Sequence, residues 1–479
     1  MSTLVGTTPG GFRSAFLINL ASAAGGNLLR FGVSLLLARL LMPAELGLVA
    51  IALAIVGVAQ VLRDLGVSAF LQREPELSQE RFGSCLGLLG GSTLLLSLLL
   101  FAGSGPLARH FDQPALQSLL LVLLLGFVLT PFSQVMAALM QRDLAAARIA
   151  YVSRLGGLAH AVAAVGLAAL GCGAMSLAWA YVINVVVCGC AYWPLRPAGL
   201  AWHPSRRGWR PLLRFGLGSL LNSGLGGLNN ALPDLLLGHM GSTRQVGLLG
   251  RANAAVSLFN ALAGTAVNFG ALRTLAELHH RQAALAPLLQ QATTLLTGVG
   301  WPVLALIALF HEELVLLLYG RTWLDSAAAI PPLAAAAGLG LLFNYGGVAL
   351  AAIGRPHLAA VPVATSLLAR LVLAGLFFDG RLVSFAWVLL GAALMALPPQ
   401  LLLLIGCLGQ SLGSVLAGAW RSLLPCLAVL GVAALLRDAV FLALVAAAAA
   451  WLLALRLTGH ELLGELHQLL LRLRSTIRK

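Results

Sequence analysis

Apolar runs long enough to cross a bilayer follow one another along this chain almost from end to end, and that succession limits what it can fold into. A hydrocarbon core takes about 20 residues of helix, and a backbone inside it must satisfy its own hydrogen bonds. Hydrophobic residues make up 59% of the chain and charged residues 10%, against about 25% charged in soluble domains. The fold class that follows is an all-α integral membrane protein. Fourteen transmembrane helices are predicted, over 15–41, 46–70, 82–102, 116–138, 150–170, 175–193, 213–238, 246–271, 285–310, 326–353, 358–378, 384–405, 421–436 and 439–457.

A net charge of +14 and a pI near 10.8 would, in a soluble chain, point to nucleic acid. Here every basic residue except Lys479 is an arginine, and most lie in short loops between apolar runs. That is the positive-inside pattern, not a nucleic-acid patch. Loops on the N-terminal side hold 18 basic residues and the opposite loops 6, which places both termini in the cytoplasm. The six cysteines show neither metal-ligand spacing nor a disulfide framework. The first apolar run is too long for a removable signal peptide and is read as the first span.

Two halves are expected. The loop from Leu195 to Arg214 combines prolines, five arginines and two tryptophans, and falls after the sixth span. The segments LLARLLMPAELGLVA (36–50) and LLLGHMGSTRQVGLLG (235–250) echo each other: an apolar run, a polar turn after Met, then a Gly-led restart. An even number of spans separates them, so the halves are parallel repeats. The predicted domains are an N-terminal lobe over 1–194, a cytoplasmic linker over 195–213, a C-terminal lobe over 214–405, two further helices over 406–457 and an amphipathic tail over 458–479. The tail puts Leu462, Leu466, Leu469, Leu470, Leu473 and Ile477 on one face and is expected to lie along the inner leaflet.

The first span carries Arg30 near its middle, with Ser22, Gly26 and Ser34 at four-residue spacing and Asn19 and Asn27 beside that line. A guanidinium in the hydrocarbon core costs at least about 2.5 kcal/mol. Arg30 therefore either lines a water-filled cavity or fixes packing against a neighbouring helix. Other helices carry comparable stripes. Asn222, Gly226, Asn230 and Asp234 recur in the seventh span, and Asn253, Ser257, Asn260 and Asn268 in the eighth. Gln60, Asp64 and Ser68 recur in the second, with Arg63 adjacent. Their concentration in the first two helices of each half favours a central cavity. Arg370 in the eleventh span, like Arg30, has no carboxylate on its own helix, which points to an anionic ligand. Arg251 lies away from the asparagine stripe of its helix and is as well suited to pairing with Asp234. Arg63 and Asp64 are candidates for a gate or ion pair, and His160 is a candidate titratable group. Unpaired guanidinium groups match phosphate geometry, so the expected substrate is anionic or phosphate-bearing.

The block LLARLLMPAELGLVAIALAIVGVAQVLRDLGVSAFLQRE (36–74) resembles the first-hairpin signature of Wzx-type polysaccharide flippases, within the multidrug/oligosaccharidyl-lipid/polysaccharide exporter superfamily. LLRFGLGSLLN (212–222), PDLLLGHMG (233–241), VGLLGRAN (246–253), LVLLLYGRTW (314–323) and LAAIGRPHLA (350–359) follow in the same order. The resemblance implies a MATE-like transporter fold of two six-helix lobes plus two C-terminal helices. It also implies translocation of undecaprenyl-pyrophosphate-linked oligosaccharide across the bacterial inner membrane, through a cationic cavity. It brings polysaccharide polymerase and chain-length machinery as candidate partners, no resident cofactor, and coupling to H+ or Na+ as an open choice. Two positions depart from the family pattern: relatives often carry an uncharged residue where this chain has Arg30, and a proline where it has Gly270. Two other functions are consistent with a polytopic helical chain. A multidrug cation antiporter needs cavity carboxylates, for which only Asp64 and Asp234 qualify. A membrane glycosyltransferase, polymerase or ligase needs a large outer loop or a carboxylate pair, and the outer loops here are short.

Overall fold

The computed structural model describes residues 30–74, 77–143, 145–197, 199–200, 202–205, 209–258 and 285–464. Among the described residues the regular structure is helical throughout. The chain divides into two compact units, one over Leu29–Gly250 and one comprising Met1–Leu28 and Arg251–Lys479.

The first unit holds α1 (30–40), α2 (Pro43–Asp64), α3 (Val67–Arg73), α4 (Gln79–His110), α5 (Pro114–Arg142), α6 (Ala146–Ala169), α7 (Met175–Tyr192) and α8 (Trp209–Met240). A 3-10 turn, Trp193–Leu195, follows α7, and α9 (Thr243–Val256) carries the chain past residue 250. The second unit contains α10 (Ala286–Leu309), α11 (His311–Leu318), α12 (Ile330–Leu341), α13 (Gly346–Ala352), α14 (Ala360–Phe377), α15 (Leu382–Met395), α16 (Leu397–Leu408), α17 (Leu412–Leu435) and α18 (Val440–Leu457).

Among the described residues, 11 helical segments are long and apolar enough to cross a membrane, which makes this a multi-pass membrane protein. They occupy the places of the second to sixth and the ninth to fourteenth predicted spans. The seventh falls on α8, which is not one of these 11, while most of the first and the second half of the eighth lie outside the described residues. So do residues 465–479 of the predicted tail. Side chains that would point to solvent in a soluble protein are apolar: on α4, Leu94, Leu98 and Phe101 are 64%, 59% and 61% exposed. A surface of that kind is matched by lipid, not water.

Three predicted spans are interrupted. The span over 46–70 breaks where Leu65 and Gly66 adopt φ of 44° and 70°, so that α2 stops and α3 restarts. The span over 326–353 comprises a 3-10 segment, α12, a turn and α13, in a stretch weakened by Gly338, Gly340, Gly346 and Gly347. The span over 384–405 divides at Ala396, just before Pro398 and Pro399, neither of which has an N–H to continue the helix. Apolar continuity marks the membrane and is blind to all three breaks.

Within the first unit, α4 pairs with α5, α6 with α7, and α2 with α8. The two echoed sequence segments meet here. A Cβ added to Gly47 would stand 1.7 Å from the Thr243 carbonyl oxygen, and one added to Gly247 would stand 1.9 Å from that of Pro43. Gly47 and Gly247 occupy the same place in the two echoed segments, and each lies against the other's backbone. Close approach of this kind is how membrane helices gain dispersion energy without a hydrophobic driving force.

In the second unit, α10 packs on α17 and α12, and α17 on α18. Pro302 inside α10 has no N–H, which deprives the Gly298 carbonyl of its helical donor. The Trp451 indole of α18 donates to that oxygen at 2.9 Å. Trp451→Phe keeps the ring and leaves the carbonyl orphaned. The expected loss is about 1–3 kcal/mol, read as a lower unfolding temperature in detergent; an unchanged transition would refute the donor role. Beyond α18, His460 is 2% exposed and lies 3.3 Å from Ser422 Oγ, which in turn is 2.8 Å from Thr297 Oγ1. Burial lowers the His460 imidazole below its ordinary value, against a smaller opposing effect of Glu461. The neutral ring therefore pins the start of the tail to α10 and α17.

Candidate functional site

A polar network built around the buried Arg63 sits where α2 breaks. Pro131 lies inside α5, and without its N–H the Phe127 carbonyl, one turn earlier, loses its helical partner. Arg63, 1% exposed at the end of α2, supplies the replacement: its Nη1 donates to Phe127 O at 2.7 Å. The same guanidinium lies 4.6 Å from the Phe127 ring centroid, a cation–π distance. Its Nη2 donates to Gln134 Oε1 at 2.8 Å. Gln134 sits one helical turn beyond Pro131, and its Nε2 donates in the other direction, to Asp64 Oδ1 at 2.6 Å and Ser68 Oγ at 3.0 Å.

Asp64 also holds the restart of the helix. Its Oδ1 accepts from Ser68 N–H at 3.2 Å and from Ser68 Oγ at 2.6 Å, which caps α3 across the left-handed Leu65–Gly66 pair. Arg63 and Asp64 are thus joined through an amide, with no direct ion pair between them among the described residues. Gln134 turns its oxygen to the cation and its NH2 to the carboxylate, so one side chain serves both charges. The Arg63 Nε–H has no acceptor among the described residues, which leaves this cation one donor short of full satisfaction. A second link lies one turn back on α2, where Gln60 Nε2 donates to Tyr181 OH at 2.7 Å. Tyr181 OH is 3.4 Å from Thr130 Oγ1, and its ring fills the space a Cβ at Gly126 would occupy. Polar contacts thus tie α2, α5 and α7 together around the break.

The remaining sequence candidates are distributed as follows. Arg30 opens α1 and is exposed. Asn230 is exposed on α8 and Asp234, one turn on, is partly buried. His160 is partly buried on α6. Arg251, partly buried on α9, has its guanidinium carbon 5.7 Å from the ring centroids of both Tyr319 and Trp323. Arg370 is partly buried on α14. Asn27 and Asn260, and the side chain of Asn222, lie outside the described residues. No group of three metal-ligating side chains is present among the described residues.

Sequence reasoning singled out Arg63 and Asp64 but not Gln134, Tyr181 or the Tyr319–Trp323 pair. A signal existed for the first: Pro131 in an apolar run implies an orphaned carbonyl, and Gln134 three residues on shares its helix face. The aromatics of LYGRTW gave no comparable indication, because nothing in their local pattern names Arg251 as a partner.

These features define a multi-pass helical membrane protein in which Arg63 is held by an amide, a ring face and a proline-freed carbonyl. Its backbone is similar to the solved structure of the lipid II flippase MurJ in an inward closed conformation, with a TM-score of 0.74 over 91% of this chain and 98% of that one at 10% identity. The sequence profile of the family described as polysaccharide biosynthesis protein matches residues 36–328, and the chain belongs to that family. Among its relatives is the teichuronic acid biosynthesis protein TuaB of Bacillus subtilis (strain 168), 24% identical over 339 residues, or 69% of each chain. Another is the lipopolysaccharide biosynthesis protein WzxC of Escherichia coli (strain K12), 27% identical over 203 residues, covering 42% of this chain and 41% of that one.

Proposed function

We propose that this protein is a flippase moving undecaprenyl-pyrophosphate-linked oligosaccharide repeat units across the bacterial inner membrane, for exopolysaccharide, capsule or O-antigen assembly. The observation that carries the reading is the family match over residues 36–328. Relatives named for teichuronic acid and lipopolysaccharide biosynthesis and the MurJ-like backbone support it. The chemistry agrees: Arg251 and Arg370 are partly buried guanidinium groups, Arg370 within an apolar helix, suited to a pyrophosphate. Asp64, one of two carboxylates that could hold a cationic drug, is committed to Ser68 and Gln134. The activity is transport without bond formation, with both termini in the cytoplasm and H+ or Na+ as the coupling ion.

The test is complementation of a strain lacking its flippase. Wild type restores surface polysaccharide. Arg370→Glu and Arg30→Glu are expected to abolish it while lipid-linked repeat units accumulate on the cytoplasmic leaflet, and Arg30→Lys is expected to retain part. Full export by both charge-reversed proteins would end the assignment of these arginines. Glycosidic bond formation by the purified protein in liposomes would replace the transport reading with an enzymatic one.

A further inference from the structure

The short segment after α7 lines an open cleft with a cavity volume of about 540 Å³ that the flippase reading leaves without a role. It is lined by Trp193, Pro194, Arg196, Pro197, Leu200 and Trp202, which give it aromatic and aliphatic walls, one cation and no carboxylate. The segment is built onto the helices beneath it. Phe132 of α5 lies 5.8 Å from Trp193 and 5.3 Å from Trp202 between ring centroids, and Phe82 of α4 meets Trp202 edge-on at 5.2 Å. Ser205 N–H donates to Gly83 O at 2.8 Å, and the Trp209 indole donates to Ser205 O at 2.8 Å. A Cβ at Gly87 would stand 2.2 Å from Ser205 O, so the segment rests directly on the α4 backbone.

Depth and charge identify the ligand. Trp193 immediately follows α7, at the end of a span, where tryptophan sits at headgroup level. The Arg196 guanidinium lies 4.4 Å over the Trp193 ring. Stacking occupies its face and leaves the in-plane N–H groups to donate at the cavity mouth. A cation at the interface beside an apolar wall accommodates a phosphate esterified to something greasy, whereas a free anion gains nothing from tryptophan and leucine. The loop also lies on the arginine-rich side of the chain, the side that faces anionic lipid under the positive-inside rule.

We infer that this cavity binds an anionic phospholipid, with Arg196 donating to the headgroup phosphate and Trp193 and Trp202 packing the glycerol and the upper acyl chain. None of Arg30, Arg251 and Arg370 is among the lining residues. Occupancy is read without transport, so its failure leaves the flippase reading standing.

The full chain in detergent is titrated with phosphatidylglycerol or with phosphatidylcholine of the same acyl chains, and bound lipid is counted by native mass spectrometry. Phosphatidylglycerol is expected to be retained preferentially. Arg196→Ala is expected to weaken it about tenfold, or ~1.4 kcal/mol, and to erase the preference, whereas Trp193→Ala weakens both lipids. Arg437→Ala, at an exposed arginine in the α17–α18 turn, keeps the wild-type preference. If Arg196→Ala does not fold, Arg196→Gln carries the same comparison. Equal retention of the two lipids, or an unchanged preference in the arginine variant, overturns the inference. Two competition arms separate the sources of phosphate. Displacement by millimolar inorganic phosphate would make this a plain anion site. Tighter, Arg196-dependent binding of undecaprenyl phosphate would assign the cavity to the substrate. Either result overturns the phospholipid assignment.

Discussion

Arg63→Met is expected to destabilise the first unit by about 3–5 kcal/mol, because it removes one partner from a buried charged network and strands the others. Methionine approximates the arginine stem, so the loss is electrostatic and not a cavity. Three groups are left behind: the Phe127 carbonyl that Pro131 cannot serve, the Gln134 amide oxygen, and Asp64 with its balancing cation gone. Gln134→Ala breaks the bridge but keeps both charges, and is expected to cost less, about 1–3 kcal/mol. Pro131→Ala supplies what distinguishes this account from a general loss of packing. It returns an N–H to α5, which competes with Arg63 for the Phe127 oxygen, so Arg63→Met made in that background costs at least about 1 kcal/mol less than in wild type. Urea or thermal unfolding in detergent measures all four variants against wild type. Strict additivity between Pro131→Ala and Arg63→Met would show that the carbonyl does not bind the guanidinium.

This network marks the boundary of what could be read from the sequence. The bilayer imposes one strong, repetitive demand, apolar length, and the spans answering it were legible down to short loops such as that between α6 and α7. The interruptions were not. Leu65 gives no sign of a left-handed conformation; it adopts one because Asp64 caps the next helix and Gly66 permits the following turn. The stripe containing Gln60, Asp64 and Ser68 was visible, but a stripe names a face and not the partner facing it. The partners, Tyr181 and Gln134, lie more than 60 residues away on helices whose own patterns are almost wholly apolar. Arg251 shows the same limit. Nothing in its own helix names the two aromatic rings, from a segment nearly 70 residues distant, that lie within cation–π range of it.

The echo between 36–50 and 235–250 acquires a physical meaning from its glycines, and it carries the second large expected effect. Gly47→Ala and Gly247→Ala are each expected to cost about 3 kcal/mol or more, at the upper end of overpacking effects. The obstructing atoms are backbone carbonyls 1.7 and 1.9 Å from the new methyl group, and no rotamer change can move them. Only separation of α2 from α9 can, which surrenders dispersion along the whole crossing. Gly57→Ala on the same helix meets nothing within 4 Å and serves as the control, neutral or stabilising by up to about 1 kcal/mol from helix propensity. Folded yield and unfolding temperature in detergent separate these outcomes, and a mild Gly47→Ala would mean the helices cross less closely than described. Because the two glycines lie against one another, separation forced by the first alanine makes room for the second. The double variant is therefore expected to lose less than the sum of the singles. Two distant crowded glycines would add, so this shortfall tests whether the repeats meet at a shared contact.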